Sequence, residues 1–192
     1  MPPLRSARQD ALSDSDIGQI IGACRDVKDQ LVIVVPLFAG LRVGELAHLN
    51  ITWIDWKQLT IDIPQRQYCW CWDCRHYRGG VWEPKTRAAI RSVIISPEVE
   101  GILRQFFHTK TEVGVSRQAI EARVARIAKR TGIKHPVYPH ALRATAATLF
   151  ASKGMSMPTV RYLMGWERLA TAELYVQSTK ARALEEARAK MG

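Results

Sequence analysis

No stretch of about 18 consecutive apolar residues occurs in the chain, which excludes an ordinary transmembrane helix. The longest apolar run, residues 30–39, contains Pro36. The opening Met1-Pro-Pro-Leu-Arg-Ser6 lacks the apolar core of a secretory signal. A cytoplasmic location without membrane association is therefore expected. Cysteine is sparse: the 192 residues hold four, too few for a disulfide framework in a chain of this size. Three of them sit together at Cys69, Cys71 and Cys74, and Cys24 is expected on a buried helix face. Internal repeats and low-complexity segments are missing. Acidic side chains are also in short supply, 18 against 28 Lys and Arg, which leaves a net charge of +10. A field of that sign attracts polyanions, and nucleic acid is the commonest cytoplasmic one. An anionic membrane surface, or no acidic partner at all, are the alternatives that charge alone leaves open.

What is present reads as one globular domain. Hydrophobic residues make up 47% and charged residues 24%, ordinary for a packed core. Residues 1–11 read as a flexible lead-in or linker stub, and 12–192 as the domain. Ser13 or Asp14 caps a first helix whose Ile17, Ile20, Ile21 and Cys24 recur at helical spacing. A second helix, over about 29–40, is apolar enough to lie in the core. Gly40-Leu-Arg-Val-Gly44 breaks it, and a short helix follows through Glu45–His48. The period then changes to two. Residues 51–56, 59–63 and 90–95 predict three strands. A long hairpin loop, 65–84, separates the second from the third and shows no clear period. Helices are predicted from Ser96-Pro97, from Ser116 to the stop at Gly132, and over about 140–153, 157–164, 168–176 and 180–191. The fold class is mainly α with a small three-stranded antiparallel β-sheet (α+β). The helix opening at Ser116 turns Ile120, Val124 and Ile127 inward. Its outer face carries Arg117, Arg123, Arg126, Lys129 and Arg130, read as contacts to a DNA backbone, with a solvated face as the alternative.

Four separated pieces carry chemistry. They are Ala39-Gly-Leu-Arg-Val-Gly-Glu-Leu46, Glu83-Pro-Lys-Thr-Arg87, Pro139-His-Ala-Leu-Arg-Ala-Thr-Ala-Ala-Thr148, and Leu163-Met-Gly-Trp166 followed by Tyr175. Each alone has an ordinary structural reading. Together they suit phosphoryl transfer. A phosphodiester attacked by an alcohol gains negative charge on its non-bridging oxygens, and two guanidiniums clamp those oxygens bidentately better than lysine does. Arg42 and Arg143 fit that role. His140 shares a helix face with Arg143 and can move protons near neutral pH. Lys85 can protonate the leaving 5′ oxygen. Trp166 can donate its indole N–H to a phosphate oxygen and pack against the nucleophile. Tyr175 supplies the attacking oxygen, giving a covalent intermediate that conserves bond energy. Glu45 either supports Arg42 or is a simple helix N-terminal acid.

In order and context these pieces resemble the tyrosine recombinase family, also called the phage integrase family. Its members carry an arginine in an Ala-x-Leu-Arg-x-x-Glu-Leu setting, matched at Arg42 with Glu45, and a hairpin lysine, matched at Lys85. They carry His-x-x-Arg in a His-x-Leu-Arg-x-Thr-x-Ala-Thr setting, matched at His140 and Arg143. A His or Trp follows Leu-x-Gly, matched at Trp166, with the tyrosine close behind at Tyr175. Most members have histidine where Trp166 stands. The resemblance spans about residues 12–180. It implies the catalytic-domain fold of that family and site-specific recombination through a 3′-phosphotyrosyl bond, with neither metal nor ATP required. It also implies a double-stranded DNA attachment site, a homo-tetramer on paired sites, and a C-terminal helix or tail (180–192) that docks on a neighbour. The family's N-terminal DNA-clamping domain has no counterpart in these 192 residues, so the chain is either a piece of a longer integrase or a naturally short protein. Two other readings stay open: a type IB topoisomerase-like strand transferase, and a catalytically silent or regulatory DNA-binding protein.

The loop sequence Cys69-Trp-Cys-Trp-Asp-Cys-Arg-His76 is unusual for that family's hairpin. Three thiols and an imidazole within eight residues can wrap a tetrahedral zinc ion, so Cys69, Cys71, Cys74 and His76 form a candidate structural zinc site. Reduced cysteines in a mobile loop, or a redox disulfide, are the alternatives.

Overall fold

The computed structural model describes residues 10–175 and residue 188. The expected C-terminal helix at about 180–191 and most of the expected lead-in lie outside the described residues. The chain is mainly α-helical with a small antiparallel sheet. Helix α1 (Asp14–Gly22) starts at a reciprocal cap: Ser13 Oγ accepts from Asp16 N–H, and the Asp16 carboxylate accepts from Ser13 N–H. Leu12 just before it is buried, and its N–H donates to Thr145 Oγ1 at 2.9 Å. Helix α2 (Val27–Ala39) is buried almost all round, as its composition requires, and ends at Gly40 in the left-handed conformation (φ +63°). It packs against α5 (Pro97–Phe107), α6 (Arg117–Ala128) and α7 (Pro139–Ser152). The short α3 (Val43–Ala47) follows directly on α2.

The sheet has the order β1-β2-β5, with β1 Ile54–Asp55, β2 Thr60–Ile63 and β5 Arg91–Ile94, all neighbours antiparallel. Residues 51–53, expected as strand, form a 3-10 turn instead. The Asn50 side chain accepts from Thr52 N–H at 3.0 Å and so draws the backbone out of the extended form. The long loop 65–84 is ordered too. It is a two-stranded ribbon, β3 (Gln67–Tyr68) paired with β4 (Val81–Trp82), bridged by a short helix α4 (Trp72–Tyr77). Cys24 lies just past the end of α1, half-buried, with its thiol on Ile20 O.

A second, smaller core forms where α7, α8 (Met157–Met164) and α9 (Leu169–Glu173) meet. Alanines 144, 147, 151 and 172 leave room there for larger side chains, and Tyr175 fills it. Among the described residues, no helix is long and apolar enough to cross a membrane.

Candidate active site

Helix α8 ends at Gly165 with φ +57°, a backbone that favours glycine. A Cβ there would also meet Ala88 O and Arg91 Nη1, each at 2.9 Å, so no larger residue fits. The last carbonyls of α8 have no partners within the helix, and three arginines supply them. Arg91 Nε donates to Leu163 O at 2.7 Å, Arg143 Nη2 to Met164 O, and Arg42 Nη2 to Gly165 O. Arg143 also donates through Nη1 to Gly40 O, which ties the end of α2 to the same point. Three guanidiniums from α3, β5 and α7 therefore meet at one helix C-terminus, where the macrodipole is negative.

One carboxylate offsets them. Glu45, 2% exposed, accepts from Arg91 Nη1 at 2.9 Å and Nη2 at 3.1 Å, and from Arg42 Nη1 at 2.9 Å. It also accepts from the Arg42 backbone N–H at 2.8 Å, closing the first turn of α3. Burial opposes its ionisation, but Arg91, Arg143 and Arg42 outweigh burial and hold its carboxyl down at about 2. Glu45 thus supports Arg42, while also meeting the helix-capping need. Burial pushes the Arg143 guanidinium down from its ordinary value, with Glu45 opposing.

Arg91 was not singled out from the sequence. Its signal was the alternation of β5: Arg91, Val93 and Ile95 face inward, and Ile94 faces out at 60% exposure. In Ile90-Arg-Ser-Val-Ile-Ile95 either phase is apolar enough to choose, so the register with Ile63 and Ile61 of β2 decides it.

Tyr175 and Trp166 stack with centroids 5.2 Å apart and planes at 19°. Tyr175 is buried at 5% exposure among the small residues of α7 and α9. Burial pushes its phenol up to about 12, although Arg143 lowers it. Lys85 is exposed and lines a cleft of about 420 Å³ together with Arg42, Glu45, His48 and Arg117. His140 is exposed in the first turn of α7, one turn before Arg143, and its ring lies 6.5 Å from that of Tyr138.

Two sets of expected residues are placed differently from the sequence expectation. Of the expected basic face, Arg123 on α6 and Arg130 just past its end turn towards α2. Asp29 is buried and receives Arg123 Nη1 at 2.7 Å and Arg130 Nη1 at 2.8 Å. Each is bent back onto α2, because a buried carboxylate needs partners. Arg117, Arg126 and Lys129 are exposed. In the cysteine loop, His76 is not with the thiols. It sits two positions after Cys74 on α4, about 200° round the helix. It is exposed, stacked on Trp72, with Nδ1 at Trp72 O. His48, at the end of α3, stands with the thiols instead. The donor atoms of His48, Cys69, Cys71 and Cys74 all lie within 4.8 Å of one another.

The profile of the phage integrase family matches residues 10–182. The tyrosine recombinase XerA of Saccharolobus solfataricus is 26% identical over 179 residues, covering 91% of this chain. The chain spans 54% of that relative's length. The crystal structure of a XerA recombinase superposes with a TM-score of 0.70 at 21% identity, covering 95% of this chain and 65% of that one. The integrase of transposon Tn1549, in complex with transposon right end DNA, superposes at 0.69 with 20% identity, covering 95% and 66%. These likenesses establish a shared fold, and the profile match runs through every element of the arginine cluster and both aromatic rings beside it, so the chain belongs to the phage integrase family of tyrosine recombinases.

Proposed function

We propose that this chain is the catalytic domain of a site-specific recombinase that cuts and rejoins double-stranded DNA through a 3′-phosphotyrosyl bond to Tyr175. The observation that carries this reading is the convergence of Arg42 and Arg143 on the Met164–Gly165 turn, one residue before the ring that stacks on Tyr175. Two fixed guanidiniums beside a phenol suit a pentacovalent phosphorus, whose added charge they neutralise. The Tyr175 oxygen bonds to phosphorus, and the bond from phosphorus to the 5′ oxygen breaks. His140 takes the phenol proton as that bond forms, and Lys85 gives the leaving oxygen its proton. The Trp166 indole N–H holds a non-bridging oxygen. A 5′-hydroxyl from a second strand then attacks the phosphotyrosine and restores the phenol. One ester is exchanged for another at each step, so the scheme calls for neither metal nor nucleotide.

Tyr175 as described is packed away and keeps its proton, so attack requires its ring to leave the alanine-lined pocket when DNA is bound. Arg117, Arg126 and Lys129 are free to meet backbone phosphates. By analogy with relatives named recombinases and integrases, the substrate is a paired DNA attachment site and the working assembly a tetramer, in which residues 12–192 act as one catalytic unit.

The test is a suicide substrate: a nicked duplex bearing the attachment site, with the protein–DNA adduct read on a denaturing gel. The wild-type chain is expected to give an adduct, and Tyr175→Phe none, with DNA affinity retained within about twofold because one hydroxyl is lost. Binding without an adduct in the wild type would replace this reading with a silent DNA-binding domain.

A further inference from the structure

We propose that His48, Cys69, Cys71 and Cys74 bind one zinc ion, which fastens the β3–β4 ribbon to the end of α3. The inference is independent of the recombination chemistry and concerns how the ribbon is held.

The four donors come from two separate parts of the chain. Cys69 follows β3, Cys71 caps α4, Cys74 lies in its first turn, and His48 arrives from a helix more than twenty residues upstream. A tetrahedral site with zinc–sulfur bonds of about 2.3 Å has donor atoms about 3.8 Å apart. His48 Nε2 already lies 3.4 Å from Cys74 Sγ and 3.5 Å from Cys71 Sγ. The widest separation in the group is below 4.8 Å, so closing on an ion needs shifts of under about 1 Å. Two of the donors are buried and two half-buried, which screens the group from water.

The surroundings prepare these atoms as ligands. His48 Nδ1 is 2.7 Å from Gly44 O. A carbonyl only accepts, so Nδ1 carries the proton and Nε2 presents its lone pair to the sulfurs. That is how a ligating histidine is commonly held in register. The Trp82 ring lies flat against the imidazole at 5.3 Å, and Trp53 leans on Trp82. Backbone N–H groups point at sulfur twice: Cys71 N–H at Cys69 Sγ and Cys74 N–H at Cys71 Sγ, both 3.4 Å. Such donors stabilise thiolates.

Binding replaces three thiol protons by one Zn(II) and gives a centre with a net charge of −1. Arg78 and Arg117 bear on His48 electrostatically and offset that charge, with Asp73 opposing them. Three thiolates and one imidazole are a closed donor set with no place for water, which suits a structural ion. No redox partner is required. Its location gives the ion a mechanical role. Glu45 and His48 are three residues apart, and β4 ends three residues before Lys85. The ion thus links the strand leading to Lys85 with the helix that begins at Arg42.

The test is metal content, which does not depend on DNA cleavage. The chain is purified reduced, dialysed against a weak chelator, and analysed by elemental mass spectrometry. One zinc ion per chain is expected. His48→Gln and Cys74→Ser are expected to lose it, and His76→Gln to retain it. Because the Cys74 variant can misfold, the wild-type chain is also reconstituted with Co(II). Tetrahedral thiolate coordination then shows as a sulfur-to-metal charge-transfer band and intense d–d bands in the red. A metal-free chain whose cysteines all react with a thiol reagent in the native state, and which gives no such bands, overturns the proposal. So does a disulfide among the three, or zinc that follows His76 rather than His48.

Discussion

Replacing Glu45 by Gln removes the one carboxylate that, among the described residues, holds Arg91 and Arg42, while leaving the shape nearly unchanged. Arg91 has a fully buried side chain and meets both Glu45 oxygens. The magnitude follows from two routes. Glu45 ionises in the fold at about 2 against an ordinary 4.5. At about 1.4 kcal/mol per unit, that difference corresponds to about 3 kcal/mol. Breaking one side of a buried pair costs about 3–5 kcal/mol by the general record of such changes. The lower end applies, since Gln still offers Arg91 one oxygen and the Leu163 and Ala89 carbonyls remain. For a chain of this size the melting temperature should fall by about 6–12 °C. Because the folded carboxyl is depressed, its stabilisation is complete above about pH 4.5 and is lost as pH falls towards 2. Urea unfolding of wild type and Glu45→Gln across pH measures both effects. The gap should be steady near neutrality and narrow through that acid window. A gap below about 0.5 kcal/mol at pH 7, or one indifferent to acid, refutes the idea that this carboxylate organises the arginines.

Lys85→Ala should slow strand cleavage about 10²–10⁴-fold, with DNA binding little changed. A substrate with sulfur in place of the bridging 5′ oxygen leaves without a proton and should restore the rate; an equal defect on both substrates would rule out proton donation. Arg123→Ala should cost about 1–3 kcal/mol of stability by exposing Asp29 to an unmet need, with an unchanged salt dependence of DNA binding. Arg126→Ala should do the reverse, leaving stability alone and flattening the log–log salt slope by about one; gel-shift titrations and urea melts on the same two proteins check both.

Most helix positions among the described residues, α4 excepted, were legible with their caps because each depends on neighbours within a turn or two. The arginine at 42, the histidine and arginine at 140 and 143, and Trp166 with Tyr175 all lie in segments whose local form the sequence dictates. What was not legible depended on partners far along the chain. Arg91 turns inward only because β5 pairs with β2 in one of two registers. His48 joins the thiols only because the ribbon folds back over α3. Reading by sequence distance chose His76, which the turn of α4 carries to the far side. Arg123 and Arg130 read as part of a basic face because Asp29, which pairs with both, lies about a hundred residues upstream.

The three arginines at the end of α8 also bear on how such a domain decays in evolution. Arg42, Arg91, Arg143 and Glu45 hold α2, α3, β5, α7 and α8 together. A lineage that had lost the need to cut DNA but still needed a folded domain would be under pressure to keep them. Lys85 and His140, both exposed, carry no comparable duty to the fold and would drift first. Arginines that persisted in a descendant without Tyr175, Lys85 and His140 would therefore mark a kept fold rather than a kept activity.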